Sequence, residues 1–152
     1  VDTGSQVYAL AKLGDEKILS GHRNNSIIVW NTSSWTRERT LAGHTGWVMA
    51  LAITNDGRKL LSGSFDRSVK VWDTASWECE RTIEIVNPVY SILVSGSTVF
   101  SGCASGAIAV SNWETGEREG TLEGHTHRVR ALAVCDGKLC SGSSDQSVKV
   151  WA

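Results

Sequence analysis

The stretch GHTGWVMALAITNDGRKLLSGSFDRSVKVWD (Gly43 to Asp73) alternates short apolar or β-branched runs with turn residues. Val48 to Ile53, Leu60 to Ser64 and Ser68 to Trp72 read as strands. Asp56-Gly57, between the first two, suits a tight hairpin because Gly tolerates positive φ. A more polar run, Cys79 to Ile83, follows and fits an outer strand facing solvent. No amphipathic window of helical length occurs.

The same unit recurs along the chain. Ser-Gly pairs begin at Ser20, Ser62, Ser101 and Ser141, in steps of 42, 39 and 40 residues. Each pair is followed by an apolar–x–apolar pattern that ends at Trp30, Trp72, Ser111 and Trp151, in the same steps. Gly43-His44 recurs as Gly124-His125, 81 residues or two periods later. Arg37 to Leu41 and Arg118 to Leu122 repeat the polar fourth run, and Asp136-Gly137 repeats the hairpin turn. Four antiparallel strands per roughly forty residues, with Gly-His and a terminal Trp, mark a β-propeller blade.

Composition narrows the function. The 152 residues are 41% hydrophobic and 20% charged, with a net charge of −1. That is globular composition, with no signal for nucleic acid or an anionic membrane. No continuous apolar stretch reaches the length of a membrane span, and Val1 to Gln6 lacks the pattern of a signal peptide, so an intracellular, cytoplasmic or nuclear location is expected. Seven Trp residues against two Tyr and two Phe fit one Trp-bearing unit copied several times.

Gly43 to Asp73 and GHTHRVRALAVCDGKLCSGSSDQSVKVW (Gly124 to Trp151) resemble WD-repeat (WD40) blades, and the resemblance covers nearly the whole chain. The short hairpin DGKLCSGSSD also resembles the C-terminal propellers of some RING/TRAF-type ubiquitin ligases, myosin-heavy-chain kinases and plant zinc-finger WD proteins. The resemblance implies an all-β propeller of four-stranded blades, about four of them here. The units fall at about 1–42, 43–84, 85–123 and 124–152, and the last lacks its outer strand. It also implies a buried hydrogen-bond chain, Asp to His to Ser to the Trp indole. In unit two this is Asp66, His44, Ser62 and Trp72; in unit four it is Asp145, His125, Ser141 and Trp151. Unit one keeps Ser20 and Trp30, but Asn24 stands at the Asp place and Asp2-Thr3 where Gly-His would lie. Unit three has Ile85-Val86 near the Gly-His place, Ser105 for the Asp and Ser111 for the Trp. It is expected to be the weakest blade, held by Val89, Ile92, Val99, Ile108 and Val110.

A chain that starts before the first strand of unit one and stops after the third of unit four has fifteen strands and an open edge. Three readings follow: part of a larger propeller, two copies paired into an eight-bladed ring with twofold symmetry, and a four-bladed ring.

Residues at matching loop places form a candidate partner-binding face: Tyr8, Trp47, Met49, Phe65, Tyr90, Arg128, Arg130 and Ser144, with Pro88. These types are enriched at interface hot spots, and aromatics with Arg suit a peptide of acidic or phosphorylated character. Trp35 and Trp77, at equivalent turns, are expected to pack on their blades. Cys79, Cys103, Cys135 and Cys140 contain no C-x-x-C pair and are expected as free thiols. His125-x-His127 lacks further ligands, so no metal or cofactor is expected. The function expected is a non-enzymatic scaffold that binds a protein or peptide. Two alternatives stand beside it: an assembly fragment whose role needs further blades or domains, and a hydrolase built on Ser62, His44 and Asp66.

Overall fold

The computed structural model describes residues 1–152. Fifteen strands form four antiparallel sheets with no helix. In order, the first blade is β1 (Val7–Leu13), β2 (Lys17–His22), β3 (Ile27–Asn31) and β4 (Arg37–Leu41). The second is β5 (Val48–Ile53), β6 (Lys59–Ser64), β7 (Ser68–Asp73) and β8 (Cys79–Glu84). The third is β9 (Val89–Ser95), β10 (Thr98–Cys103), β11 (Ile108–Asn112) and β12 (Arg118–Leu122). The fourth holds β13 (Val129–Cys135), β14 (Lys138–Ser143) and β15 (Val148–Trp151). The all-β blade architecture expected from the repeat is the one the chain adopts. No helix is long and apolar enough to cross a membrane.

Turn chemistry sets each blade. Asp136 and Gly137 both have positive φ, 50° and 72°, and join Cys135 to Lys138 in a two-residue hairpin. That hand of turn matches the twist of the flanking strands. The second-to-third-strand turns place Asn25, Arg67, Gly106 and Gln146 in the left-handed region, one per blade.

The core lies between blades rather than within them. Leu19, Ile27, Val29 and Leu41 of the first blade pack with Val48, Leu60 and Trp72 of the second. Leu61, Val69, Val71 and Ile83 of the second pack with Val89 and Val99 of the third. Ile108 of the third packs with Val129 and Leu139 of the fourth. In the first three blades the middle strands are largely buried on both faces, while the outer strands of the first two turn one residue each inward, Leu41 and Ile83. Innermost strands β1, β5, β9 and β13 pack in succession, so the blades fan into an arc.

Both ends of the arc are bare. Val148 and Val150 of the last blade are 75% and 61% exposed, whereas Val69 and Val71, at the same places in blade two, are 0% and 2%. Val7 and Leu10 are exposed at the other end. Trp77 is half-buried and packs into the joint between the first two blades, but Trp35, on the outward side of the first blade, is 56% exposed. The third blade is filled differently from its neighbours. Ile85, Cys103 and Ala109 join its apolar cluster, and Trp113 packs against it. The Trp113 indole donates to Gly96 O at 2.8 Å. In the first two blades Thr32 and Thr74 make the matching bonds, to Asp15 O and Gly57 O. The hydroxyls of Ser101 and Ser111 are buried without partners. All four cysteines are free thiols.

Candidate functional site

Two sets of polar side chains recur through the arc, one inside the blades and one on the face formed by their loops.

Within the second blade, Trp72 Nε1 donates to Ser62 Oγ at 2.9 Å. Ser62 Oγ lies 2.7 Å from His44 Nε2, and His44 Nδ1 lies 2.7 Å from Asp66 Oδ2. A neutral imidazole with its proton on Nδ1 satisfies every member: indole to hydroxyl, hydroxyl to imidazole, imidazole to carboxylate. Asp66 also accepts from Thr45 N at 3.0 Å and Ser68 Oγ at 2.7 Å. The fourth blade repeats the set: Trp151 to Ser141 at 2.8 Å, Ser141 to His125 at 2.8 Å, and His125 to Asp145 at 2.7 Å. Ser62 has no exposed surface.

Protonation follows from burial. Desolvation pushes the His44 imidazole below its ordinary value, against the pull of Asp66. Burial alone would raise the Asp66 carboxyl, but hydrogen bonds from Ser68, His44 and Thr45 outweigh it and hold the group below the usual carboxylate range. The Ser147 hydroxyl, with His125 and the Thr126 amide, holds Asp145 well below that range.

The first blade has its own solution, which the sequence reading missed. His22 is fully buried, and its Nε2 lies 2.7 Å from Ser20 Oγ, which also accepts from Trp30 Nε1 at 2.7 Å. His22 Nδ1 has no partner. The imidazole reaches the serine from two residues along the same strand, not from the preceding loop. The available signal was a His where the second, third and fourth units carry Ser64, Cys103 and Ser143, in a unit whose loop lacks one.

On the loop face, the innermost strands each carry a bulge near their start. It sits between Val7 and Ala9, Val48 and Ala50, Val89 and Ser91, and Val129 and Ala131. The bulged residues are Tyr8, Met49, Tyr90 and Arg130. A bulge frees one residue from the ladder and re-aims its side chain. Each loop before these strands is tied to the loop between the second and third strands by one backbone bond. These are Arg23 N to Gln6 O, Phe65 N to Trp47 O, Ala104 N to Pro88 O and Ser144 N to Arg128 O, all 2.9–3.1 Å.

The aromatic residues of this face form one row. Tyr8 stacks on Trp47 with centroids 5.7 Å apart, Trp47 meets Phe65 at 5.2 Å, and Phe65 meets Tyr90 edge-on at 6.1 Å. Arginines flank it. Arg23 lies 5.1 Å from the Trp47 ring, while Arg128 and Arg130 each lie 5.3 Å from Tyr90. Arg130 Nε donates to Ser144 Oγ at 3.1 Å. Met49, at the bulge of β5, is half-buried. Arg23 was not among the sequence candidates, though it occupies the place held by Phe65 and Ser144 in other blades.

Comparison with known proteins decides the family. The family model described as "WD domain, G-beta repeat" matches residues 35–73 and 116–152, half of the chain. The chain belongs to the WD40 family. Its WD40 relatives include the nuclear distribution protein PAC1-1 of Uncinocarpus reesii, 41% identical over 43% of this chain. They also include the anaphase-promoting complex subunit cdh1 of Dictyostelium discoideum, 41% identical over 38%, and the WD repeat-containing protein pop2 of Schizosaccharomyces pombe, 36% identical over 41%. The matched stretches are 14%, 8% and 9% of those relatives' own lengths. Among solved structures, the computationally designed Ika4 protein is 30% identical with a TM-score of 0.86, over 99% of this chain and 92% of that one. The computationally designed Ika8 protein is 30% identical with a TM-score of 0.83, over 95% of this chain but 45% of that one. WD40 homology points to a protein-interaction role, and no enzyme family is indicated.

Proposed function

We propose that this WD40 arc is a non-enzymatic scaffold that holds an extended peptide of acidic or phosphorylated character across its loop face. The observation that carries the reading is the row Tyr8, Trp47, Phe65 and Tyr90 with Arg23, Arg128 and Arg130 over its rings. Such side chains combine apolar contact area with guanidinium forks that match carboxylate or phosphate. The loop-to-loop backbone bonds hold the face in one shape before a ligand arrives, which lowers the cost of ordering it.

In this reading the Ser-His-Asp sets staple the blades and are not catalytic. Ser62 is buried, its oxygen is taken by the Trp72 indole, and the same set recurs at Ser141, as scaffold elements do. In a longer parent protein the face would recruit a substrate or assemble a complex in an intracellular compartment.

A second reading, favoured by the bare apolar ends, is that two copies complete one ring. The binding face is tested by probing an array of acidic, phosphorylated and neutral peptides with the intact chain. Retention on the acidic and phosphorylated members is expected; retention indifferent to charge, or none, overturns the proposal.

A further inference from the structure

At every joint inside the chain, a second-strand glycine lies under the first valine of the next blade. A Cβ built on Gly21 would stand 2.8 Å from Val48 Cγ1. On Gly63 it would stand 2.6 Å from Val89 Cγ1, and on Gly102 2.9 Å from Val129 Cγ1. Real Cβ atoms do not approach so closely, so these joints need glycine. The fourth glycine of the series, Gly142, meets only Ala131 Cβ at 3.8 Å. The fourth valine, Val7, is 41% exposed. Each end of the arc therefore carries one half of a joint that the chain makes three times.

The surroundings repeat the match. Beside Val7, a groove of about 440 Å³ is lined by Leu10, Ile18, Trp30 and Trp35. The equivalents of three of them in blade two, Leu60, Trp72 and Trp77, are packed against the blade before. Around Gly142 the bare face presents Val148 and Val150, whose equivalents Val69 and Val71 are buried under blade three.

We infer that a second copy of this chain docks on both ends at once, with Val7 of each copy seated on Gly142 of the other, closing an eight-bladed ring. The inference rests on the two-copy reading above and names its joint. One copy offers both missing halves, so a twofold pair leaves neither apolar end in water. The arc superposes on 45% of the Ika8 chain, so that single chain has the length of about two such arcs.

The test is the light-scattering mass of the intact chain, of Gly142→Val and of Val7→Asp, with circular dichroism on each. Both positions are open within one copy, so both variants keep the wild-type spectrum. The wild type is expected at twice the chain mass, and each variant is expected to dissociate at least about thirtyfold more readily, a hot-spot-sized loss. A wild type at the chain mass overturns both the joint and the two-copy reading. A dimer that Gly142→Val and Val7→Asp leave intact overturns the joint and leaves the two-copy reading standing.

Discussion

His22 Nε2 and Ser20 Oγ are 2.7 Å apart on one strand, and this contact does for the first blade what a loop histidine does for the second and fourth. The substitute is simpler, because its Nδ1 is already unpaired, whereas His44 links a serine to a carboxylate. Replacing His22 by Leu removes one partner from Ser20 and an orphan nitrogen together. Replacing His44 by Leu strands Asp66 as well. Losses of about 1 kcal/mol for His22→Leu and about 3 kcal/mol for His44→Leu are expected from urea unfolding. The reverse order would contradict the pairing described.

Burial lowers both imidazoles, His22 and His44, from the ordinary value of 6.5. The unfolded chain therefore binds protons near pH 6.5 that the folded chain refuses until lower pH. The stability this represents is present above 6.5 and is lost as pH falls below it. Asp66 and Asp145, lowered from 3.8, act the same way in a more acid window, below 3.8. Melting temperature is expected to fall steadily from about pH 7.5 to about pH 5, at most about one proton's slope per histidine. The slope is shallower in His44→Leu. A flat profile over that range would be inconsistent with buried neutral imidazoles.

Trp35 and Trp77 share a turn and a left-handed backbone, with φ of 54° and 62°, yet only Trp77 is packed against another blade. In the Gly142→Val background, where contacts between copies are blocked, Trp77→Ala is expected to cost about 2 kcal/mol. Trp35→Ala is expected to cost less than about 0.5 kcal/mol. Chemical denaturation of the two variants measures this, and equal losses would remove the distinction.

In the third blade the hydroxyl of Ser111 is buried and unpaired. Ser111→Ala removes a group that was desolvated without compensation, so stability is expected to rise by up to about 1 kcal/mol. A drop in melting temperature would mean that the hydroxyl has a partner. The same absence of an internal network makes amide exchange in β10 faster than in β6, a comparison that tests whether this blade is the weakest.

The blades were legible because period, turn residues and apolar runs all repeat, and each is a local property of the chain. Ser62, His44, Asp66 and Trp72 could be grouped because the resemblance to WD40 blades implies the set, and its members recur in the fourth unit 79 to 81 residues on. His22 was not legible, since its contact arises from the pleat that places residues two apart on one face, and no second unit repeats it. Nor was the Trp113 bond, where an indole in the third blade takes over what Thr32 and Thr74 do elsewhere. The loop-face residues could be named from alignment, but their union into one row depends on four bulges and on blade curvature. Arg23 was overlooked because its partner, Trp47, belongs to the next blade.

The proposal that the loop face binds acidic or phosphorylated peptide is tested most directly by fluorescence anisotropy. The ligand is a labelled peptide retained by the array, and the proteins are the wild type, Trp47→Ala, Arg128→Ala combined with Arg130→Ala, and the exposed outer-strand control Arg39→Ala. Dissociation constants are expected to rise at least about tenfold for the loop-face variants and to stay unchanged for Arg39→Ala. Affinity unchanged in Trp47→Ala and in the double arginine variant, or weakened equally by Arg39→Ala, would contradict a binding site on this face.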